Sequence, residues 1–165
     1  EKQISGLCRL GTFLKDFLNK NTDGINENEA ALAETMRISE QENPWFTQEN
    51  QRYNLKQWAS LFTKNNIENW LSKYQLSNSS KRVGLILAGN IPLVGFHDII
   101  SVVLSNHIPV IKLSSSQAHS LVLSDNLLVP LFSGEFNRSN LKFILLVQKG
   151  RKLLYLSYPF LLEEL

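Results

Sequence analysis

Cysteine is nearly missing from this chain: Cys8 stands alone among 165 residues. A single cysteine excludes an internal disulfide framework and fits a reducing compartment, so a cytoplasmic location is expected. No apolar run is long enough to cross a bilayer, which argues against a membrane span. The chain opens on Glu1, without an initiator methionine and without a signal-peptide pattern, as a fragment or a processed chain would. Net charge is only +2 and no basic run carries interleaved aromatics, so neither nucleic acid nor a charged membrane surface is an expected partner. The common chemical motifs are missing too. There is no GxGxxG after a strand, no Walker lysine, no HExxH, no paired CxxC and no GxSxG elbow. His107 and His119 have no partner at ligand spacing. Metal and serine-hydrolase chemistry are therefore disfavoured, and so is an ordinary Rossmann dehydrogenase.

What remains is an ordinary globular balance, 43% hydrophobic and 19% charged, able to fill a core. The length suits one domain, or one domain with a helical lead-in. Residues 83–115, VGLILAGNIPLVGFHDIISVVLSNHIPVIKLSS, organise the rest. The apolar run 83–87 reads as a strand buried on both faces. Residues 88–92 break it, with Gly89 and Pro92 as backbone devices. Residues 94–104 are apolar nearly all round and read as a buried crossover helix. Residues 109–113 form a second short strand. This is a parallel β-α-β unit, and open α/β sheets bind ligands at the carboxyl ends of their strands. Asn90 and Lys112 lie at or just past those ends.

The lead-in is helical. Ile4, Leu7, Cys8, Leu14, Phe17 and Leu18 place one greasy face on a helix over 3–18, where Cys8 acts as a small core hydrophobe. A loop at 19–26 and a helix over 27–39 follow. Thr47 is a plausible N-cap for a helix to Phe62, with Asn50 instead of glutamate leaving the capping box incomplete. Asn65 or Asn66 caps a further helix to Tyr74. A serine-rich linker at 76–81 sets the boundary between a helical N-terminal segment, 1–80, and an α/β domain, 81–165. Trp45, Phe46, Trp58, Phe62 and Trp70 read as a packing layer or inter-domain contacts. Toward the other end, 120–131 suits helix or strand. Residues 142–147 and 152–156 read as strands around a turn at Lys149-Gly150.

On the residues alone, Asn90 reads as an asparagine tolerated in a tight turn, and Lys112 as a surface lysine ending a strand. His97 and Asp98 are neighbours that do not share a helix face, so joint ligation of a metal is disfavoured. Asp98 near a helix amino terminus is favourable in any case.

The string Ala88-Gly89-Asn90-Ile91-Pro92-Leu93-Val94-Gly95-Phe96-His97-Asp98, together with Ile111-Lys112-Leu113-Ser114-Ser115, resembles the start of the nucleotide-binding domain of aldehyde dehydrogenases. With Asn43-Pro44-Trp45-Phe46-Thr47, it is most similar to the acyl-CoA (acyl-thioester) reductase branch, which includes the fatty-acid reductase of bacterial luminescence systems. The resemblance spans Gly6 to Ser116, roughly two thirds of the chain. It implies an α/β fold: a helical N-terminal segment, then the start of a parallel Rossmann-like sheet of aldehyde-dehydrogenase type, incomplete. That type holds its cofactor without a GxGxxG.

The activity implied is reduction of an acyl thioester, carried by CoA or by a protein, to a fatty aldehyde through a cysteine acyl-enzyme. Asn90 would be one half of an oxyanion hole, paired with the backbone N–H of the catalytic cysteine. Lys112 matches a lysine that contacts the adenosine ribose. NAD-preferring relatives carry a glutamate three residues later, which repels a 2′-phosphate; here that position is Ser115. Ser114 and Ser115 can donate to phosphate oxygens, so NADP(H) is the expected cofactor and NAD(H) the alternative. Trp45 and Phe46 could line an acyl tunnel instead of the core. The family nucleophile belongs to a later domain, so Cys8 is not it, and the chain alone is expected to be inactive. A non-catalytic nucleotide-binding or association fragment is the other function class. Self-association into a homo-oligomer is compatible with either.

Overall fold

A computed structural model of the protein describes residues 2–20, 24–76, 79–86, 93, 95–112, 144–149, 152–157 and 161–164, with strand backbone alone from 111 onward. Two compact units divide them. The first holds α1 (Lys2–Asn19), α2 (Glu27–Glu42), α3 (Gln48–Leu61) and α4 (Lys64–Leu71). The second begins at Gln75. It holds β1 (Arg82–Ile86), α5 (Phe96–Leu104), β2 (Ile108–Lys112), β3 (Ile144–Lys149), β4 (Lys152–Ser157) and β5 (Leu161–Glu164). The architecture is therefore α/β. Among the described residues no helix is long and apolar enough to cross a membrane.

The helical unit is built on α1. Leu7, Leu10, Leu14 and Phe17 recur at three- and four-residue steps and are buried, as a core-facing stripe requires. Ile4, Cys8 and Leu18 flank it half-buried. α1 packs on α3 and α4, and Leu55, Ala59, Phe62 and Ile67 complete that core. Gly11 permits the approach: a β-carbon there would stand 2.6 Å from the Phe62 carbonyl oxygen. Near the other end of α1, Arg52 Nη2 donates to the Leu18 carbonyl at 2.9 Å. The same guanidinium lies 5.8 Å from the centre of the Phe17 ring. A cation suits the carbonyl end of a helix and an aromatic face equally.

α2 starts in a complete capping box. Asn26 Oδ1 accepts the Glu29 N–H at 3.0 Å, and Glu29 Oε2 accepts the Asn26 N–H at 2.8 Å. Lys20 Nζ then donates to both Glu29 carboxylate oxygens, at 2.8 and 2.9 Å. Glu29 is almost fully buried. The Lys20 hydrogen bond first, and the Asn26 backbone second, hold its carboxyl below the usual carboxylate range.

The turn from α2 into α3 is pinned at every step. Asn43 Oδ1 accepts the Trp45 N–H at 3.0 Å, and the Asn43 carbonyl accepts the Phe46 N–H at 2.8 Å. Asn50 Nδ2 donates to the Trp45 carbonyl at 3.1 Å. Gln51 Nε2 donates to the carbonyls of Phe46 and Met36, at 2.6 and 2.9 Å. Thr47 caps α3 as expected, its hydroxyl accepting the Asn50 N–H at 3.2 Å. The turn sends its two aromatics apart. Phe46 is buried, whereas Trp45 is 75% exposed, so the expectation of Trp45 in a packing layer does not hold within this chain. Phe62 is buried and lies 5.3 Å, ring centre to ring centre, from half-buried Trp58.

α4 corrects the expected cap. Thr63, not Asn65 or Asn66, caps it, its hydroxyl accepting the Asn66 N–H at 3.3 Å. The backbone at Thr63 is extended directly after α3 ends, so the new helix starts earlier, and it ends at Leu71 instead of reaching Tyr74.

In the second unit five strands run in the order β1-β2-β3-β4-β5. The first three are mutually parallel, and β4 and β5 each run antiparallel to the preceding strand. Lys149 pairs with Lys152, so Lys149 closes β3 and is not a turn residue. Residues 120–131 lie outside the described residues. α5 packs on both β1 and β2 and buries Phe96, Ile99, Ile100, Val102, Val103 and Leu104. It starts at Phe96, and Val94 lies outside the described residues. Asn106 ends the helix with φ of 62°. Its N–H donates to the Val103 carbonyl and the His107 N–H to the Val102 carbonyl, both at 3.0 Å. These are the two bonds of a Schellman motif, with asparagine taking the left-handed position glycine usually fills.

β1 departs from its expected burial. Val83 and Leu85 are half-buried, but Arg82, Gly84 and Ile86 are exposed. Exposed and half-buried residues alternate along β1 and α5 packs on it, so among the described residues one face is covered rather than two. An apolar run this short reads the same in either setting.

Candidate functional site

The register of the parallel pair sets the site. Arg82 stands opposite Ile108, and Ile86 opposite Lys112. The carboxyl ends of β1 and β2 therefore lie side by side, with Lys112 as the last residue of β2. The ladder opens at the other end, where the Ile108 N–H donates to the Lys81 carbonyl at 2.8 Å. The turn residues 105–107 are just long enough to carry the Schellman motif into β2.

Lys112 is thus the one candidate residue that the structure describes, as strand backbone beside Ile86. Asn90, Ser114 and Ser115 lie outside the described residues, as do Gly89 and Pro92. Within the string that leaves β1, Leu93 holds φ of 60°. A β-carbon crowds the carbonyl in that left-handed region, at a cost of about 1–2 kcal/mol.

The amino end of α5 follows. Gly95 caps it with no side-chain hydrogen bond, and Asp98 sits in the first turn. An aspartate there answers the positive helix end. His97 Nδ1 and Asp98 Oδ1 approach to 3.7 Å, with both side chains exposed. Adjacent residues therefore meet at this helix start despite pointing from different angles of the helix. Among the described residues no group of three or more His, Cys, Asp or Glu could hold a metal ion.

Cys8 is on α1, half-buried. Burial pushes its thiol up; Lys64 lowers it and Glu68 raises it by smaller amounts. A raised thiol is the reverse of what an activated nucleophile needs. The features that sequence reasoning passed by are structural: the Asn26–Glu29 box, legible as Asn-x-x-Glu, and Gln51, whose polarity gives no sign of burial.

No family model matches the chain, and no curated protein and no solved structure matches it. The functional reading therefore rests on its own residues and on the pairing of β1 with β2.

Proposed function

We propose that this chain contributes the start of the cofactor domain of an NADPH-dependent reductase, part of a longer protein, that converts an acyl thioester to a fatty aldehyde. The sheet in this reading is Rossmann-like and of aldehyde-dehydrogenase type. One observation supports it: β1, which precedes the AGNIPLVGFHD string in the sequence, pairs in parallel with β2 so that Ile86 stands opposite Lys112, at the strand ends where α/β sheets bind ligands. In the sequence, Asn90 is four residues past Ile86. Ser114 and Ser115 are two and three residues past Lys112.

The roles follow from charge. NADPH supplies a hydride to the acyl carbon when bound. Lys112 holds the adenosine ribose, and Ser114 and Ser115 donate to the 2′-phosphate where a carboxylate would repel it. Asn90 donates its amide N–H to the oxygen that becomes negative as the carbonyl is reduced. The acyl group passes from its donor thioester to a cysteine thiolate that Cys8 does not provide, releasing the donor thiolate; after hydride reaches the acyl carbon, collapse of the tetrahedral species returns the cysteine thiolate and releases aldehyde. A second reading is favoured by Cys8 itself. The one thiol of the chain is half-buried and pushed up by that burial, which suits a non-catalytic nucleotide-binding or association fragment.

Titration of the chain with NADPH and NADH tests the cofactor reading. Tighter binding of NADPH, lost in Lys112→Ala and reversed toward NADH in Ser115→Glu, is the expected result. Preference of the unaltered chain for NADH overturns the NADPH assignment, and binding of neither dinucleotide overturns both readings as nucleotide sites. In the longer protein, Asn90→Ala should lower turnover by ~10²–10³. Unchanged turnover removes Asn90 from the chemistry.

A further inference from the structure

We draw no further inference here: the strongest candidate, the apolar outer edge of β1 with its exposed Ile86, is a strand edge for which nothing among the described residues shows what covers it.

Discussion

Gly11→Ala should destabilise the helical unit, against the usual trend. Inside an exposed helix this change stabilises by about 1 kcal/mol, because alanine loses less backbone freedom on folding. At Gly11 the added carbon would lie 2.6 Å from the Phe62 carbonyl oxygen and 2.8 Å from the Phe62 β-carbon. Neither atom can rotate away, so α1 must move off Phe62 or strain must be stored. Overpacking of this kind costs about 1–3 kcal/mol. Backbone contact puts the site at the upper end, and the balance is a net loss of about 1–2 kcal/mol. For a chain of this length that lowers the melting temperature by roughly 2–8 °C. Gly84→Ala is the control, since nothing lies within 4 Å of a β-carbon there; it should be neutral or gain up to about 1 kcal/mol. Urea unfolding followed by tryptophan emission measures the Gly11 effect, and far-UV circular dichroism covers both variants. A Gly11→Ala protein as stable as the parent would refute the close crossing of α1 and Phe62.

Three further outcomes are expected. Glu29 has a lowered folded carboxyl, so its contribution to stability is present above the unfolded carboxylate value of about 4.3 and is lost as pH falls through the folded value; Glu29→Gln should flatten the acid limb of a stability-against-pH curve, and an unchanged limb would contradict the Lys20 clamp. Gln51→Leu removes both donors from the buried carbonyls of Met36 and Phe46 and should cost about 1–3 kcal/mol by denaturant unfolding; among the described residues Oε1 has no partner to lose. Cys8, with its raised thiol, should react with a disulfide reagent at pH 7 more slowly than a free cysteine and approach that rate in urea; fast labelling of the folded chain would mark it as an activated thiol.

The local signals were the readable ones. The α1 helix and the Thr47 cap follow from local spacing, although the expected face left out Leu10, which is fully buried. Thr63 is harder to see because asparagines at 65 and 66 are equally good caps, and what excludes them is where α3 stops. The exposure of β1 is not written in VGLIL at all. It depends on which faces of the sheet are packed over, a long-range fact, while one-face and two-face buried strands can share the same apolar composition. Trp45 and Phe46 are both aromatic, and the hydrogen bonds of the turn, from Asn43, Asn50 and Gln51, hold it in the conformation that turns Phe46 inward. At the candidate site, the strand-end position of Lys112 was legible from the β-α-β pattern. A role for Asn90 was not, because spacing alone cannot separate a turn asparagine from a donor to an oxyanion.

All three tryptophans, at positions 45, 58 and 70, fall in the helical unit, and the strands contain none. Indole emission is therefore an optical label for one half of the molecule. Trp45, in water already, contributes a red, readily quenched background, while Trp58 and Trp70 supply the shift on melting. A dichroism transition without a matching emission change would therefore record the sheet coming apart by itself.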